Sequence, residues 1–549
     1  MTTLFVIEAP GKARTLEVIL QRLGHEARVQ ATKGHLFQMP ETLENLGIDS
    51  AFREYERKPR ELAVVQRLRS EAQLADTVYI ATDADAEGEV IAWDVAELIR
   101  DIHPNPMRVR LTGMDDESVL EALKTASSVE KRDAIPGRTR AIVDRLIGAG
   151  FSRGGVAVGR VGTALLGLVE RDSPVVRRLR LVAPSKDGGR PWSAETDIVA
   201  PLDDLVAGRL ASLDLPPLEI KGSFPLKSPP GHTGDIMIRA GDRLDMSPSE
   251  VSKSMQRMYE GGRMSYPRAG SRTLSATTAR KMAEMLRKAG YRVDGENYAK
   301  KGEDDVHDAP YPIGPVDPSK DPEKLGYDEG VRTMVARDLV KSGQKHEEQI
   351  PQLRELVEFL ARNGFSKDVA LAVAKMPWSR EVGPRYPGQE SWPDSGIVTR
   401  RPDVVLLEKA VKAGLGRPST WANHISTFMS RDLVDSSLNL TAKGIEWRNG
   451  SPPELLDPKV SIAIEAACER YSEAMMDDPS REPWELNAER IVGALPERIR
   501  DRLVAMVQSE APRPKIDPIL AYGETPDALE EARNRASSMG YRPKSLSDG

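Results

Sequence analysis

The sequence predicts a multidomain chain of α/β plus α class: an N-terminal α/β domain, mainly helical domains after it, and a small β-rich part set between helical stretches. Three observations carry this. Short apolar runs alternate with helical periodicity through the first 115 residues, the mark of a mostly parallel sheet. Helical spacing of apolar residues then dominates 130–180, 236–345 and 403–445. Between the first two of these, Pro-rich stretches at Trp192–Ala200 and Leu218–Leu226 read as β. The chain has 549 residues, enough for three or four domains at about 150 residues each.

Taken in order, Leu4–Ile7 reads as a buried strand. Leu16, Ile19, Leu20 and Leu23 follow at helical spacing, and Gly24 supplies the stop. Thr77–Ala81 is a second strand, and Ile91, Val95 and Leu98 mark another helix. Ligands of such sheets collect at the carboxyl ends of the strands. Residues 130–180 are helical and basic in pattern. Ser247-Pro-Ser-Glu250 is a capping box with Pro at the first helical position, and Met246 and Val251 occupy the staple positions. That helix carries Val251, Met255, Met258 and Tyr259 and ends at Gly261-Gly262. Another starts near Ser275, carries Ala279, Met282, Ala283 and Leu286, and stops at Gly290. Tyr266 falls on the connector between the two, with Arg263 and Arg268 beside it. Residues 380–402 read as a linker rich in Pro, Gly and Trp. Residues 403–445 read as winged-helix-like: a helix at 404–413, a turn at 414–418, a helix at about 419–430 and a short β pair. Beyond 511, Pro and polar residues predict a flexible or partner-dependent tail.

Composition narrows the class. Lys and Arg number 78 against 84 Asp and Glu, so the net charge of −6 does not announce a nucleic-acid partner. The charge is uneven: residues 1–115 carry −5, 221–290 carry +7 and 451–549 carry −6. An acidic first domain beside a basic middle is what a metal site next to a phosphate channel needs, although chance surface variation gives the same numbers. The single cysteine, Cys468, excludes an intramolecular disulfide and any zinc site built on two or more Cys. No run of 18 apolar residues is present, and the first residues lack a signal-peptide pattern. A soluble, cytoplasmic protein of a reducing compartment is expected.

Glu8 ends the first strand, and Asp83-x-Asp85-x-Glu87-Gly88-Glu89 follows the second. Carboxylates in this arrangement can converge into the oxygen-rich site that Mg²⁺ prefers, or form a solvated acidic loop. Pro10-Gly11-Lys12 lies beside Glu8 at a helix start, where a lysine and helix N–H groups suit a phosphate oxygen. No G-x-x-x-x-G-K-[ST] sequence occurs, so no ATP site is expected.

Glu8 with the Asp83–Gly88 motif resembles a Toprim domain. The segments IEAPGKARTLE (7–17), KGHLFQMP (33–40), TDADAEGEVIAW (82–93), RTRAIVDRLIGAGFSR (138–153), VGRVGTALLGLVERD (158–172), MYEGGRMSYPRAGSRTLS (258–275), DVHDAP (305–310) and the GRPST segment in 407–434 together resemble type IA DNA topoisomerases over roughly residues 1–500. The resemblance implies a toroidal architecture with a Toprim domain at 1–130 and a single-strand groove domain from 131–190 and 400–500. It further implies a β-rich arch from 191–235 and 346–399, a tyrosine-bearing helical domain at 236–345, and a tail of unknown role at 501–549. It implies Tyr266 as nucleophile, Glu8 as general acid, Lys12 and Arg268 as phosphate holders, and His307 near the scissile phosphate. Mg²⁺ would sit on Asp83, Asp85, Glu87 and Glu8. DNA contacts would fall to His35, Arg140, Arg160, Arg263, Arg417, Ser419 and Thr420. The expected enzyme is a monomer that relaxes negatively supercoiled DNA through single-stranded segments, with neither ATP nor zinc. A Toprim nuclease or primase, or a non-catalytic single-strand-binding protein, are the alternatives. Four positions depart from the family pattern: Ala269 and Gly270 after the tyrosine–arginine pair, Tyr311 after the histidine, and Gly162 after Gly-Arg-Val.

Overall fold

Five short strands near the N-terminus make the sheet on which the first acidic motif stands. In the computed structural model, which describes residues 2–298, 308–382 and 393–510, β1 is Thr3–Ile7, β2 Ala27–Ala31, β3 Phe37–Gln38, β4 Lys58–Pro59, β5 Thr77–Ile80, β6 Met107–Arg108 and β7 Ser127–Ser128. The sheet order is β2-β1-β5-β6-β7, and β3 pairs with β4 separately. β1 runs parallel to β2 and β5, β5 is parallel to β6, and only β7 is antiparallel. Helices α1 (Ala13–Arg22), α2 (Leu62–Gln73), α3 (Ala86–Leu98) and α4 (Asp116–Lys124) connect these strands. Leu4, Phe5, Val6 and Ile7 are all buried, as a parallel sheet covered on both faces requires. Leu4 and Val6 pack with Val65, Leu68, Val78, Ile80, Ile91, Val95 and Leu98 in one core. α1 ends as its periodicity predicts, with Gly24 at φ +82°.

The chain continues through α5 (Lys131–Phe151) and α6 (Arg160–Asp172). The strands β8 (Arg177–Ala183) and β9 (Trp192–Asp197), α7 (Asp204–Ala211) and β10 (Ile220–Leu226) follow. Next come α8 (Thr233–Leu244), α9 (Pro248–Glu260), α10 (Ala276–Lys288), α11 (Tyr327–Ser342), β11 (His346–Pro351), α12 (Arg354–Arg362) and α13 (Lys367–Ala374). After β12 (Arg380–Val382) and β13 (Gly396–Thr399) stand α14 (Pro402–Ala413) and α15 (Trp421–Ser430). The last helices are α16 (Ala442–Gly450), α17 (Pro458–Cys468), α18 (Pro483–Gly493) and α19 (Glu497–Gln508).

These elements form two compact units. One comprises residues 1–168, 260–262 and the chain from Ala442 on; the other comprises 169–259 and 263–441. In the first, α17, α18 and α19 return to pack on α5. Gly150 of α5 lies against Leu503 of α19, and Gly167 of α6 lies against the backbone of Leu456. The second unit holds two three-stranded sheets, β13-β8-β9 and β10-β11-β12. Trp192, Leu179 and Leu181 share a core with Leu210, Leu356, Leu360 and Val373 from three helices.

Several expectations need correction. Residues 177–180, read as the end of a helical stretch, belong to β8 (Arg177–Ala183). Its sequence RRLRLVA alternates half-buried and buried positions, a period of two that its three arginines obscure. The part expected to be β-rich contains α7, α12 and α13 as well as strands, because amphipathic helices cover one face of its sheet. The 380–402 stretch holds the short strands β12 and β13. The expected C-terminal tail begins as helix: α19 buries Ile499, Leu503 and Val507 at helical spacing. The helix–turn–helix reading of 403–445 matches α14 and α15, followed by a single antiparallel bridge between Val434 and Leu440. Among the described residues no helix is long and apolar enough to cross a membrane.

A Cβ added at Gly167 would lie 1.8 Å from the Leu456 carbonyl oxygen. Gly167→Ala should therefore force α6 off its seat and destabilise the first unit by about 1–3 kcal/mol, read as a lower midpoint in denaturant unfolding.

Candidate active site

The acidic constellation follows from strand register. Thr3 stands opposite Thr77 and Val6 opposite Ile80, so β1 and β5 end side by side. Glu8 leaves the first and Asp83 the second. Pro10–Lys12 form a 3₁₀ turn that directs Lys12 inward, where it is 1% exposed. Its ammonium is ion-paired to Asp83. Asp85 caps α3, with one carboxylate oxygen accepting from the Glu87 and Gly88 amides at 3.1 and 2.9 Å. Gly88 is required here, because a Cβ would lie 1.9 Å from the Asp83 carbonyl oxygen. Glu87 lies 3.5 Å from His35 Nε2.

Glu8 is the least satisfied member. Its Oε2 is buried without a hydrogen-bond partner among the described residues. Burial pushes its pKa up to about 8, the charges of Asp83, Asp85 and Glu87 push the same way, and Lys12 opposes them. Burial lowers the His35 pKa despite Glu87 and Asp94 nearby. At neutral pH the site therefore favours a protonated Glu8 and an uncharged His35.

The four carboxylates are not a ready-made metal cage. Among the described residues, no group of three His, Cys, Asp or Glu is arranged to hold a metal ion. Asp83 is held by Lys12, and one Asp85 oxygen is spent on the helix cap. The donors are hard oxygens and one is orphaned. They fit a Mg²⁺ ion held by one or two carboxylates, with water and substrate phosphate completing its shell. Lys12, expected to hold phosphate, is ion-paired to Asp83 in the structure.

One residue that sequence reasoning missed organises this loop. Arg108 on β6 is 1% exposed. It donates to the carbonyls of Ile80, Thr82 and Asp83 at 3.2, 2.9 and 2.8 Å and pairs with Glu89 at 2.9 Å. Its only sequence signal was an arginine in an otherwise strand-like run, MRVRL.

A groove of about 530 Å³ in the same unit is lined by His35, Arg57, Glu87, Arg138, Arg140 and Asp144, among others. Two of the arginines expected to contact DNA are committed elsewhere. Arg160 is buried between Asp144 at 2.7 Å and Glu465 at 2.8 Å, and Arg140 pairs with Glu465 at 3.0 Å. Both tie α5 and α6 to α17, so Arg160 holds the unit together from inside.

In the second unit, Tyr266 lies on the α9–α10 connector as the capping signals predict. It is not exposed there: it is buried, with its ring edge-on to Tyr259 at 5.6 Å. The connector is pinned along residues 309–313. Ser265 N–H donates to the Tyr311 carbonyl at 2.9 Å, Ile313 N–H to Arg263 at 2.9 Å and Ala309 N–H to Thr273 at 2.8 Å. The Tyr311 amide donates to Ser265 Oγ at 2.8 Å. Tyr311 is thus a buried backbone partner of the connector. Arg268 is half-buried, while Arg263 is exposed and ion-paired to Glu329. His307 lies outside the described residues.

Arg417, Ser419 and Thr420 are half-buried on the loop between α14 and α15. Gly414 and Gly416, at φ +73° and +81°, allow this tight loop. Thr420 Oγ1 accepts from the Arg417 amide at 3.2 Å, so its hydroxyl braces the loop.

Removing one partner of a buried ion pair leaves the other uncompensated. Lys12→Met should cost about 3–5 kcal/mol in chemical unfolding, and Asp83→Asn on that background should recover part of the loss.

The Toprim domain family matches residues 3–114. The chain is 27% identical to reverse gyrase 2 of Aeropyrum pernix over 77% of its own length, and the match spans 42% of that protein. It is 24% identical to DNA topoisomerase 1 of Aquifex aeolicus, over 86% of this chain and 96% of that one. Its fold resembles the full-length topoisomerase I structure from Thermotoga maritima, with a TM-score of 0.60, 19% identity, and coverage of 91% of this chain and 90% of that one. Residues 3–114 are accordingly a Toprim domain, and the chain is a homologue of the type IA DNA topoisomerases.

Proposed function

We propose that the protein is an ATP-independent type IA DNA topoisomerase acting on single-stranded segments of negatively supercoiled DNA. The observation that carries this reading is the Glu8, Lys12, Asp83 and Asp85 cluster at the paired ends of β1 and β5, in a chain whose Tyr266 sits on a braced connector flanked by two arginines. A nuclease or primase needs the first feature and has no use for the second.

In this mechanism the Tyr266 oxygen attacks a phosphorus and loses its proton to solvent. The phosphorus–O3′ bond breaks and a 5′-phosphotyrosyl bond forms. Glu8 donates a proton to the departing O3′; its buried, unpartnered carboxyl oxygen suits that task. Arg268, two residues past the nucleophile, stabilises charge on the phosphoryl oxygens. Lys12 neutralises Asp83 through their buried ion pair. Asp83 and Asp85, with Glu87, would hold Mg²⁺, which would supply positive charge beside the cleaved end. Religation reverses these steps, and the phosphotyrosyl bond conserves the energy of the cleaved phosphodiester.

Tyr266→Phe should reduce covalent protein–DNA adducts on a denaturing gel to background and abolish plasmid relaxation, while single-strand affinity stays largely intact. Free cleaved ends in place of adducts would identify a nuclease, and binding without cleavage by the unmodified chain would identify a binding protein. EDTA should inhibit relaxation more strongly than cleavage; full relaxation without divalent metal would refute the role given to the acidic cluster.

A further inference from the structure

The connector that carries Tyr266 is held at its far side by a residue outside every motif described above. Thr233, the first residue of α8, is 1% exposed. Its hydroxyl lies 2.7 Å from the Pro267 carbonyl oxygen and 2.9 Å from the Ala269 amide nitrogen. A threonine hydroxyl has one proton and two lone pairs, so it accepts from the Ala269 amide while its proton is shared between the Pro267 carbonyl and the Ala269 carbonyl, the latter at 2.9 Å. The Thr233 amide adds a third bond, to the Ala269 carbonyl at 3.1 Å. One residue thereby fixes the backbone on both sides of Arg268.

Thr233 is itself held firmly. His232 and Asp235 form a capping box at the start of α8. Arg272, farther along the same connector, donates to the two Asp235 oxygens at 2.7 and 2.9 Å and lies 3.1 Å from His232 Nε2. These bonds, with burial opposing them, hold the Asp235 carboxyl well below the usual carboxylate range. The His232 ring sits 5.6 Å from Trp421, and a Cβ on Gly234 would lie 2.9 Å from the Trp421 ring. Trp421 donates to the Leu415 carbonyl at 2.9 Å, which ties it to the Gly414–Thr420 loop. The start of α8 is therefore wedged between the two loops expected to meet the scissile strand.

We propose that Thr233 is a positioning residue for the cleavage step, clamping residues 267–269 so that Tyr266 and Arg268 project from a fixed backbone. The proposal rests on the topoisomerase reading. Orienting groups before reaction lowers a barrier without adding substrate contacts. The clamp therefore acts on the cleavage rate rather than on DNA affinity.

The test compares Thr233→Val, which keeps the shape and removes the hydroxyl, with Thr233→Ser, which keeps the hydroxyl. Single-turnover adduct formation on a labelled single-stranded oligonucleotide is measured beside its Kd, with hydrogen exchange at the Ala269 amide. Thr233→Val should slow adduct formation by about 10–100-fold, leave Kd within about twofold, and deprotect Ala269 without loosening the rest of the unit. Thr233→Ser should stay within about threefold of the unmodified rate. A Thr233→Val rate equal to the unmodified one, or a Thr233→Ser rate as low as that of Val, would overturn the proposal while adducts still support the topoisomerase reading. If the unmodified chain forms no adduct, the topoisomerase reading fails and the catalytic role of the clamp fails with it, even where Ala269 exchange still responds to Thr233→Val.

Discussion

The parallel pairing of β1 with β5 is the constraint on which the acidic site depends. Register alone brings the two strand ends together, so Glu8 and Asp83 become neighbours despite a separation of 75 residues in sequence. Placing carboxylates so close is unfavourable, and the surrounding structure shows how the cost is offset. Lys12 neutralises Asp83, Arg108 and Arg110 take up Glu89, the α3 amides satisfy Asp85, and the conditions around Glu8 favour its protonated form. The chain's own groups thereby compensate the clustered carboxylates.

The second unit solves a different problem. Tyr266 stands on a connector, and a connector has no regular hydrogen-bonding partner of its own. Here the partners come from several directions: residues 309–313 on one flank, Thr233 on the other, and Arg332 donating to the Arg263 carbonyl at 3.1 Å. Buried backbone groups must be paired somewhere, and at this connector the pairing also restricts the chain around Tyr266.

The charge pattern gained meaning from the coordinates. The family resemblance implies DNA contacts at Arg140 and Arg160. In the structure both are ion-paired inside the first unit: Arg160 with Asp144 and Glu465, and Arg140 with Glu465. Part of the acidic charge of the C-terminal segment, Glu465 among it, is the counterpart of these arginines. The net of −6 therefore counts many charges that neutralise one another inside the first unit.

The sequence by itself determined the local features: the β1 and β5 strands, the caps that start α9 and α10, the connector bearing Tyr266, and the acidic motif after β5. Each depends on residues adjacent in the chain, where periodicity, capping and turn chemistry act directly. Long-range partners were not legible. The contacts of Arg108 and Thr233, the pairing of Lys12 with Asp83 and that of Arg160 with Glu465 involve residues 25 to 305 positions apart in sequence. Only the tertiary structure decides them, because a side chain's role depends on which opposite charge or unpaired backbone group the fold brings within hydrogen-bond reach.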